Sequence, residues 1–100
     1  MIVYIATPYS NDPCVNVNNA VKIAEQVVAK GHTPLLPILS HLWHLISPHD
    51  WEYWIKIDLE LLKKADIVLR INGESKGAKM ELDEAELHGI PIIYSIDELK

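Results

Sequence analysis

The sequence predicts an α/β protein: a three-layer parallel sheet of the flavodoxin or Rossmann kind, strand order 2-1-3-4, with helices on both faces. Three observations lead there. Short β-branched runs alternate with longer segments of helical periodicity along the whole chain, and that alternation implies parallel strands joined by right-handed crossovers. Capping residues and glycines fall at the junctions, where helices start and stop. The 100 residues are 49% hydrophobic and 23% charged, which suits one globular domain, residues 1–100, with a single core.

Each element follows from its residues. Residues 2–6, Ile-Val-Tyr-Ile-Ala, read as a buried strand. Residues 7–13 hold two prolines and four small polar residues, so they form a loop. Asp12-Pro13 places an N-cap before a proline at the first helical position. Val17, Ala20, Val21, Ala24, Val27 and Val28 continue at helical spacing up to Gly31, the position for a C-terminal glycine. Residues 32–37 read as a short strand whose two prolines suit an edge or an early end. Residues 38–46 are ambiguous, with a short helix as one outcome. Ser47 or Asp50 caps a second long helix over 51–65. A third strand spans 67–71, a polar loop with Gly73 spans 72–76, and a third helix spans 77–88 before Gly89. A fourth strand over 90–95 and a terminal turn over 96–100 complete the chain.

Composition narrows the function classes. Nine basic residues stand against fourteen acidic ones, a net charge of −5. That argues against a nucleic-acid polymer held by bulk charge, but leaves room for a small phosphorylated ligand. The first apolar run is far shorter than the ~18 residues of a spanning helix, and no basic stretch precedes it as in a secretory signal. A cytoplasmic, reducing setting without membrane contact is therefore expected. The single cysteine, Cys14, excludes an intramolecular disulfide framework and a Cys-rich zinc site. It is expected to be a small, buried or half-buried free thiol.

In the predicted sheet, ligands bind at the C-terminal strand ends beside the topological switch point. That point lies between strands 1 and 3, flanked by loops 7–12 and 72–76. Two carboxylates break the binary pattern near it. Asp58 lies within the stripe Trp54, Ile57, Leu61 and Ala65, with Leu62 beside it. Glu81 lies within the stripe Ala78, Leu82 and Ala85. An inward carboxylate costs several kcal/mol unless it is paired, protonated or opens onto a cavity. Both residues at stripe edges reaching solvent is one outcome. A shared polar pocket with at least one raised pKa is the other. The free N–H groups at the start of the third helix, capped by Ser75, offer a phosphate or sugar-hydroxyl site. No metal is expected: His41 and His44 share a helical face, His49 follows, and no third close ligand is evident. Trp43, Trp51 and Trp54 suit either a base-stacking wall or a core or dimer contact.

Several of these residues also carry a resemblance. Tyr4-Ile-Ala-Thr-Pro-Tyr-Ser10, Gly31-His32 with Pro34, Trp54 with Asp58, Leu62 and Ala65-Asp66 occur in that order. They are followed by Ser75-x-Gly77-x-x-x-Glu81-x-x-x-Ala85-x-x-x-Gly89-x-Pro91. The chain resembles the nucleoside 2-deoxyribosyltransferase superfamily, and within it the 2'-deoxynucleoside 5'-phosphate N-hydrolases. The resemblance implies Glu81 as a nucleophile that forms a glycosyl-enzyme intermediate. It implies Asp58 as the residue that binds the sugar or assists the leaving base, and Tyr4 as the residue that orients the nucleophile. Ser75 implies a 5'-phosphate contact, Ser10 a second one, and Thr7 and Gly77 complete the substrate-contacting set. The hydrolases' arginine-containing loop after strand 1 is replaced here by Thr7-Pro-Tyr-Ser10, with Lys76 as the substitute cation. The expected function is therefore cleavage of the N-glycosidic bond of a 2'-deoxynucleoside or its 5'-monophosphate, without a cofactor. The alternative is a non-catalytic module that senses a nucleotide in the same pocket. A homodimer or larger homo-oligomer is also expected, with Trp43 and part of 41–49 in the contact.

Overall fold

The computed structural model describes residues 1–8, 12–73 and 76–100. β1 (Ile2–Ala6), β2 (Thr33–Leu35), β3 (Ile67–Arg70) and β4 (Ile92–Ile93) form one parallel sheet in the order β2-β1-β3-β4, as the sequence predicts. α1 (Pro13–Ala29), α2 (Ser40–Ile46), α3 (Trp51–Leu62) and α4 (Lys76–Leu87) make the crossovers, with 3-10 turns at Pro37–Leu39 and Ile96–Glu98. The chain leaves β1 for β2 on one side and returns to β3 on the other, so the switch point lies between β1 and β3. The register from Val3↔Ile67 to Ala6↔Arg70 brings the two strands to that edge together.

The two-residue period of a strand explains the layers. Val3, Ile5 and Leu69 face one way and pack with Ala24 and Val27 of α1 and with Leu99. Tyr4, Ala6 and Val68 face the other way, against Leu62, Ala65 and Ala85. Central β1 is thus buried from Val3 to Ala6, which is why its sequence is an apolar run rather than an alternation. Each fully buried Val- or Leu-sized side chain contributes roughly 1.5–3 kcal/mol.

Local bonds set the element ends. The Asp12 carboxylate accepts from the Val15 N–H at 3.2 Å to start α1, and Gly31 adopts φ +87° beyond its end. Of the two candidate caps for α3, Asp50 serves, accepting from the Tyr53 N–H at 3.0 Å. Ser47 instead closes α2, its N–H donating to the Trp43 carbonyl at 2.8 Å. Asp66 Oδ2 accepts from the Ile2 N–H at 2.7 Å and ties the starts of β1 and β3. The Lys30 ammonium donates to the carbonyls of Ile96 at 3.1 Å and Leu99 at 2.5 Å.

Several expectations are corrected. β2 stops at Leu35, and Pro37 opens a 3-10 turn instead of continuing the strand. β4 keeps only Ile92–Ile93, because Ser95 begins a capping box with Glu98. α3 ends at Leu62, three residues early, in a turn whose Ala65 N–H donates to the Leu62 carbonyl. Its buried residues are Ile55 and Leu62, whereas Leu61 is exposed. The inner stripe is therefore rotated from the predicted one, with half-buried Asp58 still inside it. Cys14 is exposed, not buried: the sheet-facing line of α1 runs through Ala20, Ala24 and Val27, and Cys14 falls off it. Among the described residues no helix is long and apolar enough to cross a membrane.

Candidate active site

A cleft of about 320 Å3 opens beyond the C-terminal end of β1. Ile5 and Thr7 form its floor, and Asp58 from α3 and Glu81 from α4 both line it. α4 carries Glu81 inward because Ala78 and Ala85, three residues before and four after, are fully buried. These small side chains leave the helix close to the sheet, with the carboxyl aimed at β1. There the Tyr4 hydroxyl donates to Glu81 Oε2. Tyr4 is wholly buried and Glu81 is 6% exposed, so each satisfies a group that would otherwise be stranded.

Burial raises both carboxyls. Glu81 is pushed up to about 8, chiefly by desolvation and further by the Asp58 charge, while the Tyr4 hydrogen bond and the Arg70 charge pull it back. Asp58 is pushed up to about 6 by desolvation. The Tyr4 phenol lies far above its ordinary value, first through burial, then through the neighbouring Glu81 and Asp58. It is therefore a fixed hydrogen-bond donor. One carboxyl with a proton to give and another able to lose one, on the same cleft, is an arrangement suited to acid and nucleophilic chemistry.

The remaining predicted residues divide. Thr7 and Gly77 line the cleft. Lys76 stands at its rim, its ammonium 4.5 Å from the centre of the Trp51 ring. Ser10 and Ser75 lie outside the described residues. The opposite wall comes from His41, His44, His49, Trp51 and Trp54. His44 Nδ1 accepts from Trp54 Nε1 at 2.8 Å and from the His49 N–H at 3.3 Å, and the His49 ring stacks on Tyr53 with centroids 3.8 Å apart. His44 and His49 are held by aromatic neighbours, and among the described residues no three ligating groups converge on a metal position.

Sequence reasoning passed over Arg70. It ends β3 beside Ala6, its guanidinium donates to the carbonyls of Ile71 and Gly73, and its charge acts on Glu81. The signal was present: Arg70 is the lone charge in the run Ile-Val-Leu-Arg-Ile over 67–71. It breaks a strand pattern as Asp58 and Glu81 break helical ones.

A family model described as a domain of unknown function, DUF7768, matches residues 1–95. The chain belongs to this family. No curated protein matches the chain. Among solved structures, this DUF7768 domain is similar to a 2-deoxyribosyltransferase from the psychrotolerant bacterium Bacillus psychrosaccharolyticus. The TM-score is 0.72 at 26% identity, covering 92% of this chain and 69% of that one. The shared architecture is the four-stranded 2-1-3-4 sheet with helices on both faces, and the two carboxylates of the DUF7768 domain lie at the sheet edge where such folds bind ligands.

Proposed function

We propose that the chain cleaves or transfers the N-glycosidic bond of a 2'-deoxynucleoside or its 5'-monophosphate, with Glu81 as nucleophile. The observation that carries this is the buried Tyr4–Glu81 hydrogen bond in a cleft that Asp58 shares. The likeness to a 2-deoxyribosyltransferase supports it. In this mechanism the Glu81 carboxylate attacks the anomeric carbon. The carbon–nitrogen bond breaks, and its electron pair leaves with the base, which takes a proton from Asp58. Water or a second base then opens the glycosyl ester, returning the proton to Asp58 and the carboxylate to Glu81. The aromatic and histidine wall provides flat surfaces for the base.

The test is incubation with a panel of 2'-deoxynucleosides and their 5'-monophosphates, followed by chromatography for free base. Base release is the expected result. No release, together with a thermal shift on adding a nucleotide, would instead support a binding module. Transfer is distinguished from hydrolysis by adding a second base and looking for the exchanged nucleoside.

The same reading includes a homodimer. α2 turns His41 and His44 toward the cleft, yet leaves Leu42, Leu45 and Ile46 exposed at 65%, 63% and 85%. Trp43 is half exposed while meeting Trp54 edge-on at 4.9 Å. An apolar face of this kind marks an interface, and closed two-fold pairs are the commonest outcome. Light scattering at tens of micromolar, a concentration of the order needed to populate a moderate interface, is expected to report a dimer that Leu45→Glu dissociates. A particle of 11.4 kDa for the parent chain would refute the dimer.

A further inference from the structure

Among the described residues, Tyr4, Asp58 and Glu81 carry the proposed chemistry at the switch-point edge, and a fourth ionisable group lies beside them. The fourth is Arg70. Strand register fixes its place. Tyr4 pairs with Val68 and Ala6 with Arg70, so Arg70 lies two residues beyond Val68 on the face that carries Tyr4 and, through it, Glu81. The guanidinium donates through one nitrogen to the Ile71 carbonyl and through the other terminal nitrogen to the Gly73 carbonyl. Gly73 in turn holds φ +134°, and a Cβ there would stand 2.6 Å from Pro8 of the loop after β1. The turn after β3 thus touches the loop after β1, and one side chain beneath it grips the turn.

We propose that Arg70 is a positioning residue of this site, fastening the turn at Gly73 against Pro8 while setting its positive charge against the Glu81 carboxylate. This deepens the reading of Glu81 as nucleophile and rests on it. Glu81 faces Tyr4 from β1, Asp58 from α3, Arg70 from β3 and the His41, His44 and His49 wall across the cleft. Tyr4 offers a hydrogen bond and Asp58 a like charge. Arg70 is the cation whose charge acts on Glu81, favouring the ionised form that attack requires. Two fixed N–H donors on a planar group suit the grip on two carbonyls, whereas a lysine supplies the charge without the fork.

The experiment uses the full chain and its Arg70→Met, Arg70→Gln and Arg70→Lys variants. The Glu81 side-chain carboxyl is titrated by carbon NMR, with Glu81→Gln assigning its resonance. In Arg70→Met the Glu81 midpoint is expected to rise by ~1 pH unit or more, the effect of removing a close opposite charge, and in Arg70→Lys to stay near the parent value. Should Arg70→Met fail to fold, Arg70→Gln, which keeps an N–H donor but no charge, is expected to show the same rise. An unchanged Glu81 midpoint in a folded uncharged variant overturns the proposal. So does a midpoint in Arg70→Lys that rises as far as in the uncharged variant. With substrate, the acid limb of base release is expected to move with the midpoint in the uncharged variant and to recover in Arg70→Lys. KM is expected to stay raised in both because the turn is released. A parent chain that releases no base ends the glycosidase reading of Glu81 but leaves the titration to decide the role of Arg70.

Discussion

Glu81→Gln is expected to abolish base release and, at alkaline pH, to make the fold more stable than the parent. The first effect follows because an amide cannot form the glycosyl ester. The second follows from the buried carboxyl. Glu81 titrates near 4.5 in an unfolded chain and is pushed up to about 8 in the fold. The folded state holds the proton more tightly, so the stabilisation from the neutral acid is complete below about 4.5 and lost as pH rises through about 8. At about 1.4 kcal/mol per pH unit, the parent loses a few kcal/mol across that window. A neutral glutamine in the same place keeps its hydrogen bond to Tyr4 and does not titrate. Thermal melts of the two proteins should nearly coincide at pH 4 and separate by roughly ten degrees or more at pH 9, the variant melting higher. A separation that is the same at both pH values would show that Glu81 does not titrate in this range. Undiminished turnover in Glu81→Gln would remove the mechanism and leave the fold untouched.

Asp58→Asn is expected to slow base release by roughly 10²–10⁴-fold, the usual contribution of a positioned proton donor, and to change the shape of the pH profile. In the parent, the competent state has one proton on the carboxyl pair; that proton sits mainly on Glu81, the more basic carboxyl, and reaction draws on the minority form with Asp58 protonated and Glu81 ionised. Activity should therefore rise through about 6 and fall above about 8, a bell whose limbs belong to the pair and not to either residue. With asparagine at position 58 only Glu81 must ionise. The alkaline fall should vanish, leaving a single rise whose midpoint lies below about 8, because the Asp58 charge that raises Glu81 is gone. A variant that keeps the alkaline fall would remove Asp58 from proton transfer.

Much of this architecture can be read from residue patterns. The β1 run and the Asp12-Pro13 cap predict their elements because local sterics and capping decide them. Glu81 stands out because a charge between Ala78 and Ala85 conflicts with the helix's inner face. The ends of β2 and β4 were not legible. Both strands stop before their partners do, where Pro37 opens a 3-10 turn and Ser95 starts a capping box, although the apolar run continues. The rotation of α3 escaped for a related reason: Leu61 and Leu62 are equally apolar, and only packing on Tyr4 and Val68 selects Leu62. Arg70 is visible as the lone charge of its strand, but its partners are backbone carbonyls, which no side-chain pattern records.

Leu99, buried against Val3, Ile5, Val27 and Leu69 and gripped through Lys30, bears on how the chain is assembled. β1 is made before the elements it packs against, yet its α1-side layer is not closed until Leu99 has followed. Its pairing with β3 likewise waits for residues more than sixty positions away. Contacts of such long sequence separation form slowly, because loop closure must precede any gain from them. A nascent chain therefore carries β1 only partly covered, by α1 and β2, until β3 and Leu99 have been made. Folding in a single late step, with transient sensitivity to aggregation or chaperone capture, is the kinetic consequence.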